Sequence, residues 1–384
     1  MRVFNCDNCG YPVFFENVQC LHCGCKLGYL PDLFLVAALA AADGNAAPAL
    51  FTRSSDAGAP DARRWRMCHN HDAYQACNFA VPMEDDNPLC ISCRQTRLLP
   101  DLSQPENRQR WYRIEVAKRR LFYSLARLGL AAAAGQGPVP NPVYEFLADQ
   151  PGTEPVMTGH ADGVITLNIA EADDDERVRR RVALHEPYRT LLGHLRHESG
   201  HFYWDRLIRD QGRTESFRAV FGDESQDYAQ ALRAHYARTP GSAAWQDDHV
   251  SFYAASHPWE DWAETWAHYL HMVDLLETAW AYQTTVVVPG DAPDAGTRVG
   301  NPFSDPPLPF DALVRQWVPL TLMLNSLNRS LGQEDAYPFA LPARVLDKLC
   351  HVHDVVAEAA HPVVAAQSEV GAAYTPPPTT QPPQ

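Results

Sequence analysis

The chain has 384 residues, of which 46% are hydrophobic, so it is long enough for a full core and for two or three structural units. Its formal net charge is −15, but residues 1–130 hold 15 Lys and Arg against 13 Asp and Glu, whereas the remainder holds 17 against 34. The acidic remainder argues against a nucleic-acid groove in that part. The longest apolar stretch, Leu33 to Ala42, is too short to cross a bilayer, and no signal-peptide core follows Met1. We therefore expect no membrane contact.

Four cysteines near the start of the chain have zinc-ribbon spacing. Two Cys-x2-Cys pairs, separated by ten residues, each suit a tight turn that brings two thiolates to one tetrahedral ion: Cys6, Cys9, Cys20 and Cys23. Cys25 is close enough in sequence to replace Cys23. The alternative is a small loop-rich module with reduced or disulfide-paired cysteines. The spacing favours a structural zinc site within residues 1–30.

A second, less regular set of cysteines predicts another four-cysteine zinc site, in a module of residues 31–104: Cys68, Cys77, Cys90 and Cys93. His69 and His71 are nearby substitutes for one thiolate. The composition from Ala40 to Asp61 predicts a loop or insertion in this module. Cys350 is left over and is expected to be a small buried hydrophobe. Zinc thiolates and the lack of a signal peptide favour a cytoplasmic location.

A basic, aromatic-containing helix is predicted from Pro105 to Leu130. Its cationic stretch, Arg108 to Arg127, is more typical of a packing helix with a solvated face than of a nucleic-acid site. Nucleic acid is therefore a disfavoured partner, and if bound it would bind residues 1–130 in a salt-dependent way. A flexible turn is expected from Gly135 to Pro140.

The segment His197-Glu198-Ser199-Gly200-His201 carries the central motif. A helix places residues four apart on one face, so His197 and His201 can bind one zinc ion while Glu198 polarises a water. Pro187 suits the first turn of this helix, and apolar residues continue to Ile208. Gly200 allows close approach of a neighbouring element. The alternative is a buried helix whose histidines are only hydrogen-bonded.

A third zinc ligand is expected on a second helix that begins near Pro258. Glu260 and Glu264 share one face of that helix, and Glu260 is our first choice as ligand. The alternative for Glu264 is a solvated acidic face. Asp205 follows His201 by one turn and could orient a ligand histidine, although a surface charge is the favoured interpretation.

The remaining elements are a strand, two helices and a tail. Residues 163–168 alternate and are rich in β-branched types, which predicts a strand that either receives a substrate backbone or serves only the core. Helices are expected near 311–331 and 341–360. The tail of residues 366–384, rich in Pro, Thr and Gln, is predicted to be disordered.

The two helices together resemble the glutamate-liganded zincins, and the stretch from Tyr253 to Trp266 is similar to the catalytic domain of anthrax lethal factor. That resemblance implies Glu260 as the zinc ligand, Glu264 as the acid that supports a ligand, and Tyr253 as the group that stabilises the transition state. A histidine such as His257 is the alternative for the last role. Asp261 and Trp262 depart from the pattern by replacing two phenylalanines, and the segment between the helices differs in length.

A resemblance over nearly the whole chain is to bacterial zinc-binding metallopeptidases with an N-terminal zinc ribbon. It rests on the cysteines, on residues 158–163 and 186–194, and on His257 to Tyr269. It implies an α+β chain, with four-cysteine zinc-ribbon modules followed by a mainly helical zincin-like metallopeptidase domain, residues 105–365, with a small sheet. The implied activity is peptide hydrolysis with one catalytic and two structural Zn²⁺ ions and a protein or peptide substrate. The alternative is a zinc-ribbon adaptor whose zincin site is structural or inactive.

Overall fold

The cysteine-rich part of the chain folds around two small sheets. The computed structural model describes residues 1–42, 48–131, 140–173, 190–238, 245–290, 292, 295–339 and 341–360. Strands β1 (Phe4–Asn5) and β2 (Pro12–Val13) pair antiparallel beside the first cysteine pair. A five-stranded antiparallel sheet follows in the order β3 (Lys26–Leu30), β4 (Leu35–Ala41), β5 (Leu50–Arg53), β6 (Trp65–Met67) and β7 (Ala80–Pro82).

The loop expected from Ala40 to Asp61 is wrong in part, because β5 and a short 3₁₀ turn, Ser54–Asp56, lie inside it. Ala40 pairs with Thr52 and Ala41 with Phe51 in the antiparallel ladder. Four residues are too few to show an alternating pattern, so the neighbouring strand rather than local sequence defines β5. The apolar stretch that begins at Leu33 is largely the buried strand β4.

A mixed sheet links the cysteine-rich part to the rest of the chain. The short helix α1 (His69–Tyr74) precedes β7, and β8 (Thr96–Leu98) pairs in parallel with β9 (Val143–Leu147). The sheet order is β10 (Gly159–Ala161), β11 (Val164–Asn168), β9, β8, with β10 antiparallel to β11. β11 confirms the predicted strand. Helix α2 (Pro105–Arg127) confirms the predicted basic helix and packs against the helix that carries His197 and His201, which is described next.

The second part of the described chain is mostly helical. Its elements are α3 (Leu191–Trp204), a π-helical turn (Asp205–Arg209), α4 (Thr214–Phe221), α5 (Tyr228–Tyr236), a 3₁₀ turn (Tyr253–Ser256), α6 (Pro258–Ala281), strands β12 (Thr285–Val286) and β13 (Thr297–Arg298), α7 (Phe310–Ser330) and α8 (Ala343–Ala359). Helices α6, α7 and α8 confirm the predicted helices. Pro187, the turn at 135–139 and the tail at 366–384 lie outside the described residues.

One cluster of buried apolar side chains runs through both parts, from Phe4 near the first cysteine pair to Val356 in α8. Helix α2 contributes Trp111, Ile114 and Leu121 to it, each essentially inaccessible to solvent. The architecture is therefore α+β, with the cysteine-rich part and the helical part sharing a core. Over the described ranges, none of the helices has the length and apolar character needed to cross a membrane.

Candidate metal centre

Helix α3 presents the His-Glu-x-x-His motif from the interior of the molecule. Its N-terminus is capped by Thr190, whose side chain accepts the Gly193 N–H at 2.9 Å. Residues Leu195 to Trp204 are buried, and the exposed fractions of His197, Glu198 and His201 are 8%, 5% and 4%. Buried imidazoles and carboxylates require partners, and those partners identify what the centre can do.

Helix α6 lies against α3 and brings the acidic residues to the motif. Pro258 occupies its first turn, and His257 caps it: Nδ1 accepts the Trp259 N–H at 3.1 Å while Nε2 donates to the Gln226 carbonyl at 3.2 Å. The helices touch at Gly200, where an added Cβ would lie 2.8 Å from the Ala263 Cα. This confirms that the glycine permits a close approach.

Three side chains converge on one point between the helices. The ligand atoms of His197, His201 and Glu260 all lie within 4.8 Å of one another. The Oε2 atom of Glu260 is 3.1 Å from Nε2 of His197 and 3.4 Å from Nε2 of His201. Two ligands of one tetrahedral zinc at about 2.05 Å would be about 3.3 Å apart. The spacing therefore fits this metal.

The hydrogen bonds around these ligand atoms are also those expected if a cation lies between them. Nδ1 of His197 donates to Oε1 of Glu264 at 2.7 Å, which leaves the lone pair of Nε2 directed at the centre. Glu260 is only 1% exposed, so water does not reach it freely, and its Oε2 atom has no hydrogen-bond partner among the described residues. Two electron-rich atoms facing each other in a buried site are stabilised by a positive ion between them.

Two hydroxyl groups that sequence reasoning missed hold the carboxylates. The Tyr228 hydroxyl, from α5, donates to Oε1 of Glu260 at 2.6 Å, and the Ser251 hydroxyl donates to Oε2 of Glu264 at 2.6 Å. Although burial opposes ionisation, the hydrogen bond from His197 lowers the pKa of Glu264 to about 2. No sequence motif marks Tyr228 or Ser251, because they reach the site only through tertiary structure.

Glu198 is held by a histidine one turn earlier on the same helix. Nε2 of His194 lies 3.1 Å from Oε1 of Glu198, and Nδ1 of His194 lies 2.5 Å from Oε2 of Glu171. Burial lowers the pKa of His194, but the two carboxylates outweigh it and raise the pKa to about 9. The spacing of four residues between His194 and Glu198 was a visible signal for this pair.

The supporting residues predicted from sequence have different outcomes. The ring of Tyr253 lies 5.8 Å from the ring of His197, so it is close to the centre. Nδ1 of His257 caps α6 and its Nε2 donates to the Gln226 carbonyl, so neither ring nitrogen is a free hydrogen-bond donor. Asp205 is 8% exposed rather than a surface charge, and it pairs with Arg209 at 2.6 Å instead of orienting a ligand. Nδ1 of His201 has no hydrogen-bond partner in the described part of the chain.

Both predicted cysteine clusters form. The sulfur atoms of Cys6, Cys9, Cys20 and Cys23 lie within 4.8 Å of one another, as do those of Cys68, Cys77, Cys90 and Cys93. Three sulfur pairs, Cys6–Cys23, Cys9–Cys20 and Cys77–Cys90, are 3.7 Å apart. Four thiolates around zinc at about 2.3 Å would be about 3.8 Å apart, so both clusters fit zinc.

The alternative ligands considered for these clusters lie outside them. Cys25 is outside the first group, and neither His69 nor His71 replaces a thiolate in the second, since Nδ1 of His71 instead contacts the Cys77 carbonyl at 2.8 Å. All ten cysteines are free of disulfide bonds. Cys350 is half-buried rather than fully buried.

Two strands of the mixed sheet, β10 and β11, contact α3. Among the described residues, β11, which the sequence suggested for substrate, has neighbours on both sides, whereas β10 occupies the edge of the sheet. Asp162 and Gly163 have φ values of 50° and 82°, which is a type I′ hairpin connection between Ala161 and Val164. Ladder alternation then directs the N–H and C=O of His160 away from β11. The edge therefore offers backbone hydrogen bonds.

The basic helix α2 uses its cations within the molecule. Lys118, for example, is fully buried and lies 2.9 Å from Glu115. The partners of Arg110, Arg113, Arg119 and Arg120 are, in turn, Asp173, the Ala172 carbonyl, the Ala76 carbonyl and Glu16. Such internal contacts are typical of a helix that packs against the rest of the protein, as the sequence pattern favours.

Comparisons with known proteins agree with this arrangement. A family described as "Putative zinc-binding metallo-peptidase" matches residues 107–355, and a zinc-ribbon domain matches residues 3–104. Uncharacterized proteins from Mycobacterium tuberculosis and Mycobacterium bovis are each 41% identical over 362 residues, which is 94% of this chain and 96% of the relative. No solved structure matches the chain significantly, so the likeness to lethal factor stays a prediction.

Proposed function

The chain belongs to the zinc-binding metallo-peptidase family, and from this premise we propose that it hydrolyses peptide bonds at a zincin-like centre between α3 and α6. The observation that carries the proposal is the convergence of His197, His201 and Glu260 within 4.8 Å, with Glu198 beside them. Three protein ligands leave one position open, which is typical of catalytic rather than structural zinc.

Each side chain of the centre has a role in this proposal. Zinc, when bound, supplies the charge that polarises the scissile carbonyl and acidifies a water molecule. Glu198 accepts the proton of the attacking water at its free oxygen, Oε2, and returns it to the leaving amine. Glu264 fixes the orientation of His197, and Tyr253 donates a hydrogen bond to the carbonyl oxygen as negative charge develops there.

The remaining proposals concern zinc content, substrate and location. We assign one catalytic and two structural zinc ions to the chain, because each four-cysteine cluster has a complete ligand set. The substrate is a peptide or protein segment that pairs with the edge of β10. Reduced cysteine clusters favour the cytoplasm.

Zinc content tests the metal centre directly. We expect about three zinc ions per chain in the native protein and about two in a folded His201→Ala variant, because only the centre between α3 and α6 loses a ligand. Two ions in both proteins, even after zinc is supplied, would contradict the proposal and favour a zinc-ribbon adaptor.

Hydrolysis needs its own control. Native protein incubated with a mixed peptide library is expected to give new amino termini, and Glu198→Gln, which keeps all three ligands, is expected to give none above background. Equal cleavage by both proteins would point to a contaminating protease and would overturn the assignment of Glu198.

A further inference from the structure

His194 lies between two carboxylates from different elements. It is on α3, one turn before Glu198, and its Nε2 is 3.1 Å from Oε1 of that residue. Its Nδ1 is 2.5 Å from Oε2 of Glu171, which lies in the 3₁₀ turn after β11. The Thr158 hydroxyl donates to the other oxygen of Glu171 at 2.6 Å. The imidazole is thus anchored on one side by a side chain that is itself held in place.

The two oxygens of Glu198 have different surroundings. Oε1 receives the contact from His194, whereas Oε2 is buried and has no hydrogen-bond partner among the described residues. The terminal torsion of a glutamate is broad, so a carboxylate without an anchor would sample several rotations. The contact with His194 selects the rotation in which Oε2 remains available.

We propose that His194 is a positioning residue that holds Glu198 through a hydrogen bond from Nε2, with Glu171 fixing the ring, so that one carboxylate oxygen stays free for the attacking water. This inference rests on the proposed function, since Glu198 needs a defined orientation only if it acts as a base. His194 itself is outside the convergent group of His197, His201 and Glu260. Its removal should leave zinc binding intact.

Two conservative variants separate positioning from structural support. The amide of Gln reaches the place of Nε2, whereas the amide of Asn reaches only the place of Nδ1. His194→Asn can therefore keep the contact with Glu171 but not with Glu198. We expect kcat to fall about 100-fold in His194→Asn with KM within about twofold, and to return to within about tenfold of the native value in His194→Gln.

The control is a second histidine that pairs with a side chain far from the centre. Nδ1 of His353 lies 3.1 Å from the Tyr269 hydroxyl at the contact between α6 and α8, so His353→Asn should leave kcat unchanged. Zinc content should match the native protein in all three variants. Equal losses of kcat in the Asn and Gln variants of His194, or loss of zinc in His194→Asn, would overturn the proposal.

A measurement without turnover distinguishes failure of this inference from failure of the proposed function. In protein labelled with ¹⁵N-histidine, the Nε2–H signal of His194 should shift in Glu198→Gln while its Nδ1–H signal stays in place. The absence of an Nε2–H signal, or an Nε2–H signal that does not shift in Glu198→Gln, would contradict the hydrogen bond. If the shift occurs but native protein cleaves no peptide, the contact is real and the peptidase assignment is wrong.

Discussion

Gly200 lies at a point of close approach between the two helices of the candidate metal centre. A Cβ at this position would lie 2.8 Å from the Ala263 Cα and 3.2 Å from the Ala263 carbonyl oxygen, and backbone atoms cannot move aside as a flexible side chain can. The Trp262 indole also donates to the Gly200 carbonyl at 2.9 Å, which fixes the approach. The distance from His201 to Glu260 therefore depends on this glycine.

Gly200→Ala is expected to reduce the free energy of unfolding by about 1–3 kcal/mol and to weaken zinc binding at the centre, because the added methyl group pushes α6 away from α3. Denaturant unfolding and zinc titration measure the two effects. Gly159→Ala is the control, since nothing lies within 4 Å of its added Cβ. An unchanged or higher stability in Gly200→Ala, as helix propensity alone would give, would contradict this argument.

Strand β10 is the element that connects the fold to the proposed substrate. Among the described residues it is at the edge of the mixed sheet, it contacts α3, and the outward backbone groups belong to His160. An extended peptide can add to such an edge through main-chain hydrogen bonds. The orientation of a bound peptide along β10 would thus be set by hydrogen bonds to its backbone rather than by pockets for its side chains.

His160→Pro removes the outward N–H without removing a ladder hydrogen bond, so we expect KM for a cleaved peptide to rise about tenfold while zinc content stays the same. His160→Ala separates the loss of the N–H from the loss of the imidazole and should change KM by less than about threefold. Similar KM values in the two variants would show that the substrate does not pair with this strand.

Local sequence patterns were sufficient for the long elements and for the pairing of the two motif histidines. Pro105 and Pro258 begin α2 and α6 as expected, and His197 and His201 lie on one face of a helix, as the motif spacing predicts. Strands β5 and β8, of four and three residues, depend on pairing with other strands: β5 pairs with β4 and β6, and β8 pairs with β9, in which Tyr144 is the partner of Thr96. The hydroxyl of Tyr228 likewise reaches Glu260 across 32 positions, which no local pattern encodes.

Over the described part of the molecule, helix α2 links the two parts, since it contacts the residue before Cys77 and also packs against α3. Arg119 of this helix is buried, and its guanidinium donates to the carbonyl of Ala76, the residue before Cys77. The apolar core continues from the cysteine-rich part into the helical part. The cysteine-rich part and the helical part should therefore unfold as one unit.

Cys77→Ser removes a buried sulfur of the second cysteine cluster, so we expect one calorimetric transition shifted down by roughly 5 °C or more as structural zinc is lost. Cys350→Ser, whose sulfur is outside both clusters, should unfold at the native temperature. Two separate transitions, with the upper one unchanged, would show that the cysteine-rich part unfolds independently.

The hydroxyl groups of Tyr228 and Ser251 both come from the stretch between α3 and α6, not from the helices that carry the ligands. Evolution can therefore change the support of Glu260 and Glu264 by altering this connecting stretch alone. The helices that carry His201 and Glu260 are constrained by their contact at Gly200, whereas the connecting stretch contributes hydroxyl groups to the site. The groups that hold the two carboxylates can in this way be selected separately from the contact between the two helices.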